Sequence, residues 1–577
     1  MTMRLLSAAF VAPFFALCLM LAGTPVGAAD AAPRGQASSV STFHCLSLYW
    51  SPEGGEAGKK VLVKFKEPSE SAWHDGLSMR YNPIDDWKHP GQKTPECKGD
   101  YRGSIVNLKP GTAYEVALTL EGTATKASLK ASTWNENFPV SSIVKCKTSS
   151  ETLKVDKSGT PEGYVLYDGT GCTIDGANKI AQGIDVDASY VILRGFVIKN
   201  VTDNGIKLEG RHHIVIENCG ISKWGSEDEQ HLGYGIEMQS AVYFRSKDPE
   251  KNKEVHNIVI QRNRFHNPSW NTNSWAEDHR PPKKNFHPDG PQTISFWECE
   301  GNNVIRYNEC WSDDKHYYND VMGGAFNGSY RGWPGRDSDI YGNYIANCWD
   351  DGIESEGGNQ NVRIWNNYIE NTMMMIANAA TSIGPFYVWQ NVTGRSYCKP
   401  GYAMDHGNLM KMGYADSVNW MTGHMYVFNN TILQPNNEGA NGLGGESRII
   451  KHCESRNNIL NVRPSDTRVI ATDKKTTNSG PAYDNDFDND LISADRYPPG
   501  SEKHAVKGTP KYVSSAGFSF ETKSGNFELA PDSPGKGKAE VIPNFCEGPN
   551  PDMGAQQGPG PMVFGVKAQF VPAKQNP

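Results

Sequence analysis

The sequence is poor in apolar residues, in basic charge and in helical periodicity. Hydrophobic residues make up 37% of its 577 positions and the mean hydropathy is −0.58. That is lean for a wide globular core and ordinary for an elongated chain with a narrow one. Acidic residues outnumber basic ones, 65 to 57, for a net charge of −8. This argues against a nucleic-acid partner, because phosphate binding needs a basic face. No Cys-x-x-C or mixed Cys/His spacing of a zinc site occurs. Beyond the N-terminus no apolar run is long enough to cross a bilayer, so no membrane span is expected in the mature protein.

The N-terminus is different. Arg4 precedes an apolar run from Leu5 to Leu21, followed by the small residues Val26-Gly27-Ala28-Ala29. This is the pattern of a secretory leader, expected over residues 1–29, with a secreted or periplasmic mature chain. An exported chain keeps disulfides. Twelve cysteines are present; without Cys18 the count is odd, so at least one thiol is free or pairs between chains. Cys45 with Cys97 and Cys146 with Cys172 are the expected pairs. Residues 30–40 read as a linker.

Residues 41–140 alternate short strands and turns. The most specific piece is Leu108 to Val116, a leucine, a Pro110-Gly111 turn and then Tyr114-Glu115-Val116. This resembles the end of a fibronectin type III β-sandwich, where the tyrosine packs at a corner between strands.

From Val144 the texture changes to short β-branched runs that end in Asn or Gly. Copies are Ile214 to Asn218, Ile258 to Asn263, Val304 to Asn308, Asp339 to Asn343, Val362 to Asn367 and Tyr426 to Asn430. A repeat of this kind is a solenoid, since one unit cannot bury its apolar side without stacked neighbours. With no 3.6-residue period the units are strands. The asparagines then share one corner, and their amides hydrogen-bond from coil to coil. The fold class expected is all-β, a parallel β-helix over 144–557 behind an N-terminal β-sandwich, with 558–577 as a tail.

The repeat resembles the right-handed parallel β-helix superfamily of pectate lyases and polygalacturonases, over about Val144 to Gly554. The resemblance implies an enzyme that cleaves an extracellular polysaccharide, by Ca²⁺-assisted β-elimination or by acid/base hydrolysis. The alternatives are a uronate epimerase and a glycan-binding, adhesin-like β-helix that does not cut. A monomer is expected.

The candidate chemistry lies in acids at one edge of the coils: Asp203, Asp289, Asp320 and the pair Asp350-Asp351. In Asp351 to Glu356, alternation sends Ile353 and Ser355 to the core and Glu354 and Glu356 outward. Stacked carboxylates repel unless protonated, screened or bridged by a cation. Asp289, Glu354 and Glu356 are the expected ligands of a Ca²⁺ ion. Asp320, Asp350 and Asp351 are the expected catalytic acids, with Lys315, Arg331, Lys283 or Lys284 as the base of an elimination and His287 as a proton carrier. Asp320 followed by Asp350-Asp351 resembles the acid layout of polygalacturonases, but no Gly-His-Gly or Arg-x-Lys follows, and Asp405-His406-Gly407 is a loose substitute. Two inserts interrupt the repeat. Trp270 and Trp275 in the first, and Tyr387, Trp389, Arg395 and His406 in or beside the second, are the expected substrate contacts, because aromatic rings stack on sugar faces. Asp484 to Asp490 is read as an acidic turn of a late coil rather than a calcium loop.

Overall fold

The computed structural model describes residues 34–83, 99–245, 249–275, 287–324, 329, 331–378, 383–396, 408–412, 423–433, 441–444, 450–462, 470, 484–495 and 497–572. It is a right-handed parallel β-helix behind a β-sandwich. The leader, Cys97, Lys283, Lys284, His406 and residues 276–286 lie outside the described residues.

Each coil runs through three strands, for example Asp339–Tyr341, Tyr344–Ala346 and Asp351–Glu354. We call the three stacked sheets 1, 2 and 3 in that order; they hold 12, 12 and 10 strands among the described residues. The solenoid opens with strand Val140–Lys145, which pairs in parallel with Tyr164–Asp168. Like residues stack on like. Ile260, Ile305, Ile340, Ile364 and Val388 are successive register partners inside sheet 1. Ile294, Met322, Ile353 and Ile376 do the same inside sheet 3. All are buried in one continuous core.

The corner between sheets 1 and 2 is set by two adjacent positions. The first is left-handed: Arg262, Tyr307, Gly342, Asn366, Gln390, Asn429 and Asn457 all have positive φ. The second carries the predicted amide ladder. Asn263, Asn308, Asn343, Asn367, Asn391, Asn430 and Asn458 each donate to the next, and Asp490 ends the run, at 2.9–3.1 Å. Each side-chain oxygen also takes a backbone N–H that the turn leaves unpaired, as Asn367 does for Asn343. The ladder starts at Asn263. Asn218 falls on the left-handed position, and Cys219 fills the ladder position.

The N-terminal strands Ser38–Ser41 to Lys126–Ser132 form an antiparallel sheet folded over its own core. The Tyr114 hydroxyl accepts the Lys109 N–H at 2.9 Å. This sandwich covers the outer face of sheet 1. Phe43, Cys45 and Val106 pack with Trp365, Tyr387, Trp389 and Phe428. The buried Arg363 guanidinium holds Asp339 at 2.6 Å and Ser47 at 2.7 Å. The C-terminal segment runs back along the stack rather than ending it: Phe545 and Phe570 join the same cluster, and Gly565 N–H donates to Gly342 O.

Cys45, Cys146 and Cys172 are free thiols. Cys172 Sγ donates to Cys146 O at 3.0 Å instead of bonding to its sulfur. The expected Cys146–Cys172 pair is therefore corrected.

Candidate functional site

The acids gather at the start of the sheet 3 strands. Gln292, Asp320 and Asp351 stand in one column, each two residues before the register partners Ile294, Met322 and Ile353. Asp320 Oδ1 accepts the Asp351 N–H at 2.9 Å, and Asp320 Oδ2 accepts Gln292 Nε2 at 3.0 Å. Oxygens of Asp320, Asp350 and Asp351 lie within 4.8 Å of one another, and so do those of Asp351, Glu354 and Glu356. Asp351 Oδ1 is buried and has no hydrogen-bond partner among the described residues.

One cation sits among them. Lys411, on strand Asn408–Met412, places Nζ 2.6 Å from Asp351 Oδ2 and 3.0 Å from Glu356 Oε1. Sheet register explains its reach. Gly323, Glu354, Ala377 and Lys411 form one outward column in successive coils. The small residues leave room beside Glu354, where a Cβ on Gly323 would stand 2.8 Å from Glu354 Oε2. His287 Nε2 pairs with Asp350 Oδ2 at 3.3 Å. The Trp275 ring meets His287 edge-on at 4.8 Å.

The crowding shifts protons. Burial first, then the Asp350 carboxylate, pushes Asp320 up to about 7. Burial first, then the other acids, raises Asp351 well above the carboxylate range, against the pull of Lys411. Glu354 is raised likewise by burial, then by Asp320, Glu356 and Asp351. Burial alone would lower Lys411, but Asp351, Glu356, Asp350 and Glu354 outweigh it and hold the ammonium charged. For His287, burial is outweighed by Asp350 and Asp320, which raise it. The site thus holds buried carboxyl groups raised above their ordinary range beside a histidine–carboxylate pair.

The other expected residues divide. Asp289 stands three residues before the column position of Gln292, and Asp203 belongs to a distant coil; neither joins the converging oxygens. Glu354 and Glu356 were both expected to face outward; Glu354 is half-buried, and Glu356 is buried on Lys411. Arg331 is an ion-pair partner of Glu300, so it is not a base at this centre. Lys315 is exposed on a turn beside Asp313. Tyr387 and Trp389 lie in a sheet 1 strand, 1% exposed beneath the N-terminal sandwich, so the rings expected as substrate contacts are packed in the interior. Arg395 is exposed beside sheet 2. Trp270 and Trp275 are half-buried. Lys411 was missed. Its only trace in sequence is alternation, with Met410 and Met412 inward and Lys411 between them.

Of the expected Ca²⁺ ligands, Glu354 and Glu356 converge with Asp351, and the Lys411 ammonium stands beside Asp351 and Glu356 as the counter-charge of the group.

No family model matches the chain, and no curated protein does. Solved structures similar to it include an alginate lyase from Paenibacillus sp. str. FPU-7, 13% identical over 54% of this chain and 99% of that one, with a TM-score of 0.28. The A-module of the Azotobacter vinelandii mannuronan C-5 epimerase AlgE6 is 11% identical over 64% of this chain and 92% of its own, with a TM-score of 0.29. The catalytic domain of a GH87 α-1,3-glucanase bound to nigerose is 9% identical over 83% and 92%, with a TM-score of 0.24. At such scores the fold assignment rests on the strand ladder of the three stacked sheets.

Proposed function

We propose that the chain is an exported enzyme that cleaves an extracellular polysaccharide by acid/base hydrolysis at the acids of sheet 3. The observation that carries this reading is the pair of environments in one cluster. Burial raises Asp320, Asp351 and Glu354 above the usual carboxylate range, while Asp350 pairs with His287 at 3.3 Å. Environments that push titratable groups apart mark acid and base roles. Glu354 is the outward-facing acid and donates its proton to the leaving glycosidic oxygen. The Asp350–His287 pair positions and deprotonates the attacking water. Asp320 and Asp351 set the field of the site, and Lys411 balances it.

Elimination is the second reading, and it needs a free base. Lys411 is bound by two carboxylates and held charged, which argues against it in that role. We read the N-terminal sandwich as a fibronectin type III-like spacer, supported by the Tyr114 to Lys109 corner bond.

The test is a screen of acidic and neutral polysaccharides for new reducing ends, for near-ultraviolet absorbance of an unsaturated uronate, and for sensitivity to a chelator. Hydrolysis gives reducing ends without absorbance and without chelator loss. Glu354→Gln should lower turnover by about 10²–10⁴-fold with the fold intact. Full activity of that variant, or absorbing products, would overturn the hydrolytic reading.

A further inference from the structure

The C-terminal segment leaves a cavity on sheet 2, away from the acid centre. Ser514 to Phe527 folds over the sheet's outer face and walls one side of a half-open cavity of about 800 Å³. Its walls are aromatic. Tyr368 stacks on Phe518 with centroids 3.6 Å apart, and Trp311 stands at one side, itself stacked on His266 at 4.8 Å. Phe520 shows 58% of its surface to solvent beside the opening. On the floor, Glu370 accepts the Tyr344 hydroxyl at 3.1 Å and the Tyr368 hydroxyl at 3.2 Å. The charged groups lining the cavity are Glu370, Arg395 and Lys523. Lys523 Nζ lies 4.0 Å from the Tyr344 ring centroid, a cation–π contact.

We propose that this cavity is a second glycan-binding site, which holds a uronate residue of an acidic polysaccharide apart from the acid centre. The ligand class rests on the reading of the chain as a glycan-handling protein; the site does not depend on cleavage. A sugar ring presents an apolar face that packs on Trp311 or Phe520. Its carboxylate meets Lys523 and the planar guanidinium of Arg395, which suits carboxylate geometry. Aromatic walls with a few convergent polar groups are the ordinary make-up of a small-ligand site.

Glu370 makes the binding pH-dependent. It faces Tyr344 and Tyr368 from sheet 2, Lys523 from the C-terminal segment and Arg395 from the turn after Val392–Thr393, with Glu309 acting on Lys523. Burial first, against the two tyrosine hydroxyls, pushes it up to about 7. Below that value it is neutral and the cavity carries only positive charge. A uronate remains ionised there, so its binding strengthens as pH falls from 8 to 6.

The test is calorimetric titration of the full chain carrying Glu354→Gln, the variant expected to suppress turnover, with oligogalacturonate, oligomannuronate and neutral maltohexaose. An acidic oligomer should bind and the neutral one should not. Lys523→Gln and Arg395→Gln, added singly, should each weaken binding by about tenfold. Affinity should rise from pH 8 to pH 6, and Glu370→Gln should abolish that rise. Equal binding of maltohexaose, no binding of either acidic oligomer, or full affinity in both charge variants would overturn the proposal. If the cavity binds as expected while the unsubstituted chain releases no product from any polysaccharide, the cleavage reading falls and this one stands.

Discussion

The Asp351 backbone N–H donates to Asp320 Oδ1 at 2.9 Å, and three coils earlier in sheet 3 the Ser240 N–H makes the same bond to Asn204 Oδ1 at 2.8 Å. Asp320 and Asn204 therefore do one structural job at the same corner, and only Asp320 adds a titratable group. Asp320→Asn should fold, once Gln292 turns its amide to suit the new side chain. The pH profile then separates the variant from the parent. Asp320 sits higher in the fold, at about 7, than in the unfolded chain. Its contribution is complete below the unfolded value and is lost as pH rises through about 7. Melting temperature should fall from pH 4 to pH 8 less steeply in the variant. Equal slopes would contradict the buried, protonated acid.

Lys411→Met should be strongly destabilising. It strips the ammonium from Asp351 and Glu356 and leaves buried acids without a counter-charge. Breaking a buried pair costs about 3–5 kcal/mol. The loss should be greatest at pH 8 and smaller at pH 5, where the acids take protons instead. Urea midpoints at both values check it; an equal loss at both would mean that Lys411 acts through packing alone.

The amide ladder gives an internal comparison. Asn367 donates to Ile340 O and Asn391 Oδ1 and accepts from Asn343. Asn367→Ala orphans several buried groups and should cost at least about 2 kcal/mol. Asn218→Ala touches only the exposed left-handed position, where the strain is about 1 kcal/mol. Chemical denaturation of the two variants ranks them; the reverse order would refute the assignment of Asn367 to the ladder and Asn218 to the left-handed position.

Trp389→Ala separates packing from binding. The ring is 1% exposed, stacks on Trp365 at 5.2 Å and meets Phe545 at 5.3 Å. Its loss should destabilise by about 3–5 kcal/mol without changing KM for any polysaccharide the chain cleaves. A raised KM at unchanged stability would return Trp389 to a substrate-contact role.

Much was legible in the sequence. Recurrent β-branched runs closed by asparagine determine a stacked solenoid, because each coil buries its apolar side only against its neighbours and each corner needs an amide for its stranded N–H groups. Asp320, Asp350 and Asp351 could be picked out, because identical register turns equal offsets in sequence into neighbours in space. Three things were decided only in the tertiary structure. Tyr387 and Trp389 are interior, because the N-terminal sandwich and the returning C-terminal segment cover sheet 1, and no local pattern announces which outer face is covered. Lys411 lies 60 residues from its partner Asp351; its role depends on Gly323 and Ala377 clearing the column that brings it near. The Glu370 cavity exists because a segment that reads as the end of the chain folds back over earlier coils, and that contact is set by packing across the stack rather than by neighbours in sequence.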